Sequence, residues 1–151
     1  MQQLRAKIFK KVRPKQLNGK QVTGEMLLEL ATAYTSAINE GSVPNIENAW
    51  SYVCQNECNR AIEESIQCYN REMERPFLSA KETLDQSILK KAHQQIREQC
   101  VTMFKQKALG QDVTDYERML REGISRSSQK LKAQFLKFCE SKAKEYLEPE
   151  I

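Results

Sequence analysis

The chain has 151 residues, 40% apolar and 29% charged, with a net charge of +4. That length closes one sizeable core, and no run approaches the ~18 consecutive apolar residues of a membrane span. The N-terminus lacks the charged, apolar and small-residue order of a secretory leader, and five cysteines scattered through helical stretches argue for reduced thiols in the cytoplasm over a disulfide framework.

The charge is uneven. Residues 1–22 carry Arg5, Lys7, Lys10, Lys11, Arg13, Lys15 and Lys20 and no acid, so the body is mildly acidic. Leu4, Ile8 and Val12 recur every four residues in this basic head, with Phe9 beside them. The pattern suits a membrane-surface or partner-binding amphipathic helix. It equally suits the last helix of a preceding domain, the reading we favour. Nucleic acid is not an expected partner, because the basic charge comes without interleaved aromatics or a recognition fold.

Asn18-Gly19 is the one strand signal, a common two-residue hairpin pair. Helical periodicity then dominates in four windows. The first helix is predicted from about Thr23 to Glu40, with Thr23 as N-cap and Gly41 at C′. Its apolar stripe is Leu27, Leu30, Ala31, Tyr34, Ala37 and Ile38.

The second opens after Pro44 with Asn45 as N-cap. Its stripe runs through Ile46, Ala49, Trp50, Val53, Cys54, Ala61, Ile62, Ile66, Tyr69 and Met73. Pro76 is expected to end it. The third is predicted from a capping box, Ser79 with Glu82, through Leu84, Ile88, Ala92, Ile96, Cys100 and Phe104 to Leu109-Gly110. The fourth is predicted from a second capping box, Thr114 with Glu117. Tyr116, Leu120, Ile124, Leu131, Phe135 and Phe138 form its stripe, and it ends near Leu147.

Helices two to four would each hold about 28–34 residues, or about 40–50 Å. The expected links at residues 41–44, 75–79 and 109–113 are short, which favours antiparallel neighbours. The apolar spacing drifts between three and four, so no sustained heptad forms. The predicted fold is all-α: an elongated bundle of about four long antiparallel helices behind a basic N-terminal helix and linker.

Little here supports catalysis. A phosphate cradle needs a Gly-x-x-x-x-Gly-Lys-Ser/Thr run, and none of Gly19, Gly24, Gly41, Gly110 and Gly123 opens one. Cys54 and Cys58 share a helix face, but zinc wants four ligands and the sole histidine, His93, sits in another helix. Those thiols are expected to pack as small hydrophobes. His93, among Lys90, Lys91, Gln94 and Gln95, is expected on a solvated flank, and Trp50 in the core. No catalytic, nucleotide-binding or metal residue is assigned.

The stretch Val22-Thr-Gly-Glu-Met-Leu-Leu-Glu-Leu30, then Tyr34 to Ile38, then Gly41-Ser-Val-Pro44-Asn-Ile-Glu-Asn-Ala49, resembles the guanylate-binding proteins. It looks like the junction between their GTPase domain and their helical middle domain. Ala61, Ile62, Tyr69 and Met73 resemble the end of that family's second middle-domain helix. The Pro76-Phe77-Leu78 break is similar to atlastins of the same dynamin-like superfamily. The resemblance is carried by residues 8–75; beyond about residue 79 it is one of architecture and spacing.

The resemblance implies that residues 1–14 are the tail of a preceding GTPase domain, 15–22 a linker, and 23–151 the first part of the helical middle domain. It implies a parent GTP hydrolase using GTP and Mg²⁺, with neither held by this segment. The helical part would relay nucleotide-driven rearrangement and dimerisation. Its partners would be the GTPase domain of the same chain, a second copy in a homo-oligomer and, in some members, an anionic membrane surface. The competing reading is a free-standing helical adaptor whose basic N-terminus docks on an anionic membrane or acidic partner. The family's middle domain continues further, so Phe135 and Phe138 are expected to lack a cover, and the helix either to fray after about Lys130 or to self-associate through that stripe.

Overall fold

A computed structural model of the chain describes residues 6–7, 10–17, 20–43, 45–110 and 112–147. Leu4, Arg5, Ile8 and Phe9 of the basic head, and the Asn18-Gly19 and Pro44 signals, lie outside the described residues. The fold is an all-α bundle. After a minimal antiparallel pair, β1 (Gln16–Leu17) with β2 (Lys20–Gln21), come four helices: α1 (Gly24–Asn39), α2 (Ile46–Thr83), α3 (Gln86–Lys107) and α4 (Val113–Leu147). The strand pair brackets the Asn-Gly signal, with Gln16 opposite Gln21 and Leu17 opposite Lys20. The chain divides into two compact units, Met1–Val53 and Cys54–Ile151.

In the first unit the caps are those predicted. The Thr23 side chain accepts from the Met26 N–H at 3.2 Å. At the other end Gly41 takes φ +72°. Its N–H donates to the Ile38 carbonyl at 3.0 Å, and the Ser42 N–H to the Ala37 carbonyl at 2.9 Å. These two bonds are the Schellman pair, and the left-handed residue they require is glycine. Asn45 caps α2, its side-chain oxygen accepting from the Glu47 N–H at 2.9 Å.

The stripe of α1 differs from the predicted one. Met26 is its buried residue, while Leu27, Ala31 and Ile38 are exposed and Leu30, Tyr34 and Ala37 half-buried. A 16-residue helix with few neighbours in its own unit buries a narrow strip, and periodicity does not say which strip. Ala49 and Val53 are buried, whereas Trp50 between them is only half-buried, not core.

In the second unit the largest departure is at Pro76. The helix does not stop there: α2 runs 38 residues, about 57 Å at 1.5 Å per residue, with Pro76 inside it. The proline removes one N–H to carbonyl bond, from the Glu72 carbonyl, at a cost of about 3 kcal/mol. Burial offsets it, because Met73 before and Ala80 after the proline are core residues and Phe77 packs against the same cluster.

The break comes instead at Leu84, in the left-handed region with φ 54°. The Asp85 N–H reaches back to the Ala80 carbonyl at 3.2 Å, again the Schellman bond. Ser79 and Glu82 are therefore interior to α2, and Asp85 caps α3. Its carboxylate accepts from the Ser87 N–H at 2.8 Å and hydroxyl at 2.9 Å, bonds that hold its pKa below the ordinary value. Likewise α4 starts one residue before Thr114: Asp112 lends its carbonyl to the Tyr116 N–H, and Glu117 is drawn into ion pairs. Helices α2, α3 and α4 thus hold 38, 22 and 35 residues, less even than the sequence suggests.

Leu84 is an exposed residue with a Cβ in a conformation that costs such residues roughly 1–2 kcal/mol. Leu84→Gly should therefore raise the unfolding free energy by about 1 kcal/mol, even though glycine loses more entropy on folding. Urea denaturation with unchanged m value checks this; a loss of stability would mean that the leucine side chain is needed there.

Cross-helix bonds fix the topology of the second unit. Tyr69 meets His93, and Glu64 pairs with Lys107, so α2 and α3 are antiparallel. Lys105 pairs with Glu117 at 3.0 Å and Glu98 with Arg121 at 3.6 Å, so α3 and α4 are antiparallel too. Ile66 meets Gly123 and Lys81 meets Phe138, so α2 and α4 run parallel.

Tyr69, Met73, Phe104, Leu120 and Ile124 lie at the centre of one continuous core. Gly123 explains the tight α2–α4 approach: a Cβ there would stand 2.5 Å from Ile66 Cδ1. Phe135 is 3% exposed and belongs to the core. Phe138 lies under the Lys81 ammonium, 4.8 Å from its ring centre, and the same ammonium sits 4.9 Å from Phe77. The aromatic stripe expected to be bare is thus covered by the stretch of α2 beyond Pro76.

Candidate interaction surface

Three groups of side chains could carry function, and each is traceable to the helix register. The first is polar and central. Tyr69 on α2 is fully buried, and its hydroxyl lies 2.8 Å from His93 Nδ1 on α3, the rings edge to face. Burial raises the Tyr69 phenol above its ordinary pKa, opposed by a hydrogen bond with Ser128 on α4. His93 is pushed below its ordinary value by burial, then by Arg97 and Lys132 nearby.

His93 is therefore not on the solvated flank expected of it; it ties α3 to α2 through Tyr69. With a buried phenol as its partner, the arrangement serves as a structural clasp. Ser65, one turn before Tyr69, is fully buried.

The second group is the thiols. Cys54 and Cys58 are buried, and the Cys58 thiol donates to the Leu109 carbonyl at 3.1 Å. Cys54 lies against Gly110, where a Cβ would come within 3.2 Å. This is the packing role assigned to them from sequence. Among the described residues no group of three or more His, Cys, Asp or Glu is gathered for a metal.

The third is surface. In the first unit Leu27, Leu28 and Ile38 of α1 and Tyr52 of α2 are exposed, as is Val43 in the link at 91%. Beside them a cavity of about 350 Å³ lies between Tyr34 and Ala37 on one side and Asn48 and Tyr52 on the other. Exposed apolar side chains of this kind can be where a helical unit meets another body. Sequence periodicity had assigned two of these residues, Leu27 and Ile38, to a buried stripe, so it could not single them out. Across α3 and α4 of the second unit the outer face is charged. Glu117 receives both Lys105 and Arg121, which lower its pKa, and Arg121 also reaches Glu98. No helix among the described residues is long and apolar enough to cross a membrane.

Comparison with known proteins bears on what such a bundle belongs to. The family described as guanylate-binding protein, C-terminal domain, matches residues 18–149, which takes in all four helices. Guanylate-binding protein 6 of Homo sapiens is 28% identical over 116 residues, 76% of this chain and 18% of that protein. Guanylate-binding protein 3 of Mus musculus is 26% identical over 99 residues, 66% of this chain and 16% of that protein. The chain thus spans less than a fifth of the length of these relatives. The match continues through α3 and α4, where the resemblance read from sequence had rested on spacing alone. A helical bundle of this topology, matched over nearly its whole length, belongs to the guanylate-binding protein C-terminal domain family.

Proposed function

We propose that this chain is a helical segment of a guanylate-binding-protein-like large GTPase and relays GTP-driven rearrangement and dimerisation from a nucleotide-binding domain to the rest of the molecule. The observation that carries the reading is the family match over residues 18–149. Support comes from the second unit, where residues 54–83 of α2 and the 35-residue α4 share one continuous core, a stiff element suited to passing on a displacement. The exposed apolar side chains of the first unit suit a segment that works against another body. In this proposal GTP and Mg²⁺ act in the parent protein, the partners are its GTPase domain and a second copy, and the reduced cysteines suit a cytoplasmic setting.

The test compares two proteins. Titrated with a fluorescent guanine nucleotide, this chain should show no saturation up to about 100 μM. The longer protein encoded by its native transcript should bind saturably with Mg²⁺ and dimerise more strongly with GTP than with GDP. Saturable, Mg²⁺-dependent binding by the chain itself would sink the proposal. So would a transcript without a Gly-x-x-x-x-Gly-Lys-Ser/Thr loop, which would leave the basic-headed adaptor as the reading to pursue.

A further inference from the structure

Ion pairs run along one edge of the seam between α3 and α4, and one rung of that ladder lacks its acid. Lys105 pairs with Glu117 at 3.0 Å and Glu98 with Arg121 at 3.6 Å. About three turns farther along each helix, the antiparallel register sets Ser87 opposite Lys132. Lys132 repeats the place of Arg121, but a serine repeats the place of Glu98. Ser87 brings no charge, and its hydroxyl already donates to the Asp85 carboxylate at 2.9 Å.

An open cavity of about 410 Å³ occupies this rung, lined by Gln86, Ser87, Lys90 and Lys132. Its two charged residues therefore carry the same sign, one from each helix. Both lysines are exposed, and neither makes an ion pair or hydrogen bond among the described residues. Like charges held across one cavity repel, and an anion between them turns that repulsion into attraction. The volume lies in the range of roughly 300–1,000 Å³ typical of small-molecule sites. A phosphate monoester carries about −1.5 to −2 near neutral pH, a match for two ammonium groups that a single carboxylate would leave half-compensated. The Gln86 carboxamide can both donate and accept towards a polar carrier. No aromatic ring lines the cavity, so a nucleotide base would gain no stacking there.

We propose that Gln86, Lys90 and Lys132 bind a small phosphate monoester on a polar carrier, which completes the α3–α4 seam. The bound phosphate does for the two lysines what Glu98 does for Arg121. This site lies apart from the exposed apolar side chains of the first unit, and it stands independently of the GTPase reading. With both ammonium groups in solvent, affinity is modest, on the order of 1 mM, and falls as salt rises.

His93 supplies a local reporter, being the chain's sole histidine and one turn beyond Lys90 on α3. Its pKa is lowered by burial, then by Arg97 on its own helix and Lys132 on α4, while the Tyr69 hydroxyl of α2 meets its Nδ1. An anion beside Lys132 offsets that lysine and moves His93 upward. The experiment titrates glycerol 3-phosphate into the full chain and follows the His93 ring by NMR as a function of pH. Saturation at about 1 mM without Mg²⁺, with a raised His93 pKa, is the expected result. Glycerol should have no effect. Lys90→Gln and Lys132→Gln should each weaken binding at least about fivefold. Lys132→Glu should abolish it and raise the thermal midpoint of the free chain, because an acid there pairs with Lys90. Vesicles of phosphatidic acid, which displays the same monoester, decide the source. Vesicle binding that needs both lysines assigns a lipid headgroup; its absence, with glycerol 3-phosphate still bound, assigns a free metabolite. No saturation by about 10 mM, or a His93 titration that the ligand leaves in place, would overturn the proposal. So would binding unchanged in both glutamine variants, which would put the anion on the basic residues 1–22.

Discussion

Tyr69→Ala should lower the unfolding free energy by about 3–5 kcal/mol, the loss expected when a fully buried aromatic leaves a cavity between three helices. Tyr69→Phe separates packing from bonding. It keeps the ring and removes only the hydroxyl that meets His93 Nδ1 and Ser128, for about 1–3 kcal/mol. Urea unfolding measures both, and a loss below about 1 kcal/mol for the alanine variant would remove Tyr69 from the core.

The same clasp carries a pH signature. The fold favours neutral His93, so its pKa lies below the ordinary 6.5 that the unfolded chain retains. The unfolded state then binds more protons, and stability declines as pH falls from about 6.5 towards the folded value. Above that window the contribution is fully present. His93→Gln should flatten the decline there, while the loss tied to Asp85 and Glu117, whose pKa values are also lowered, appears only in the carboxylate range.

The second large effect lies at the far end of α4. Phe135→Ala should cost about 3–5 kcal/mol, and Leu136→Ala, at an exposed position next to it, less than about 1 kcal/mol. The contrast tests the continuity of α2, because Phe135 shares its core with Ala80, four residues past Pro76. If α2 broke at the proline, both substitutions would be nearly silent and the end of α4 would fray, which hydrogen exchange over residues 131–147 would register as weak protection.

Much of this fold was readable before any coordinates. Thr23, Gly41 and Asn45 did what their residue types predict, because caps are settled by two or three local bonds. Pro76 misled because the rule against interior proline is also local, whereas the burial of Met73, Phe77 and Ala80 that outweighs it depends on α3 and α4 being in place. Leu84 could not have been found at all: nothing about leucine announces a left-handed helix end. One misplaced break then propagated, moving a cap from Asp85 to Ser79. Phe135 and Phe138 were expected to be bare only because the family's middle domain continues further, and α2 in fact covers them. The Tyr69–His93 bond was invisible for a different reason, since pairing residues 24 positions apart requires the register between helices. The family, by contrast, was carried by short local stretches, Val22–Leu30, Tyr34–Ile38 and Gly41–Ala49 above all, which need no register between helices to be read.

Tight connections leave one more consequence, in time. Only residues 84–85 separate α2 from α3, and residues 108–112 separate α3 from α4. Each helical hairpin therefore closes on a short stretch of chain, where the entropy of loop closure is small. Only the α2–α4 contacts, such as Ile66 against Gly123, must wait for a third helix. Helical proteins dominated by such near-neighbour contacts fold in microseconds to milliseconds. A ribosome adds about 5–20 residues per second, so synthesis is slower than folding by orders of magnitude. Each hairpin can pack as soon as its second helix is free of the ribosome, and the order of the helices along the chain becomes the order of assembly.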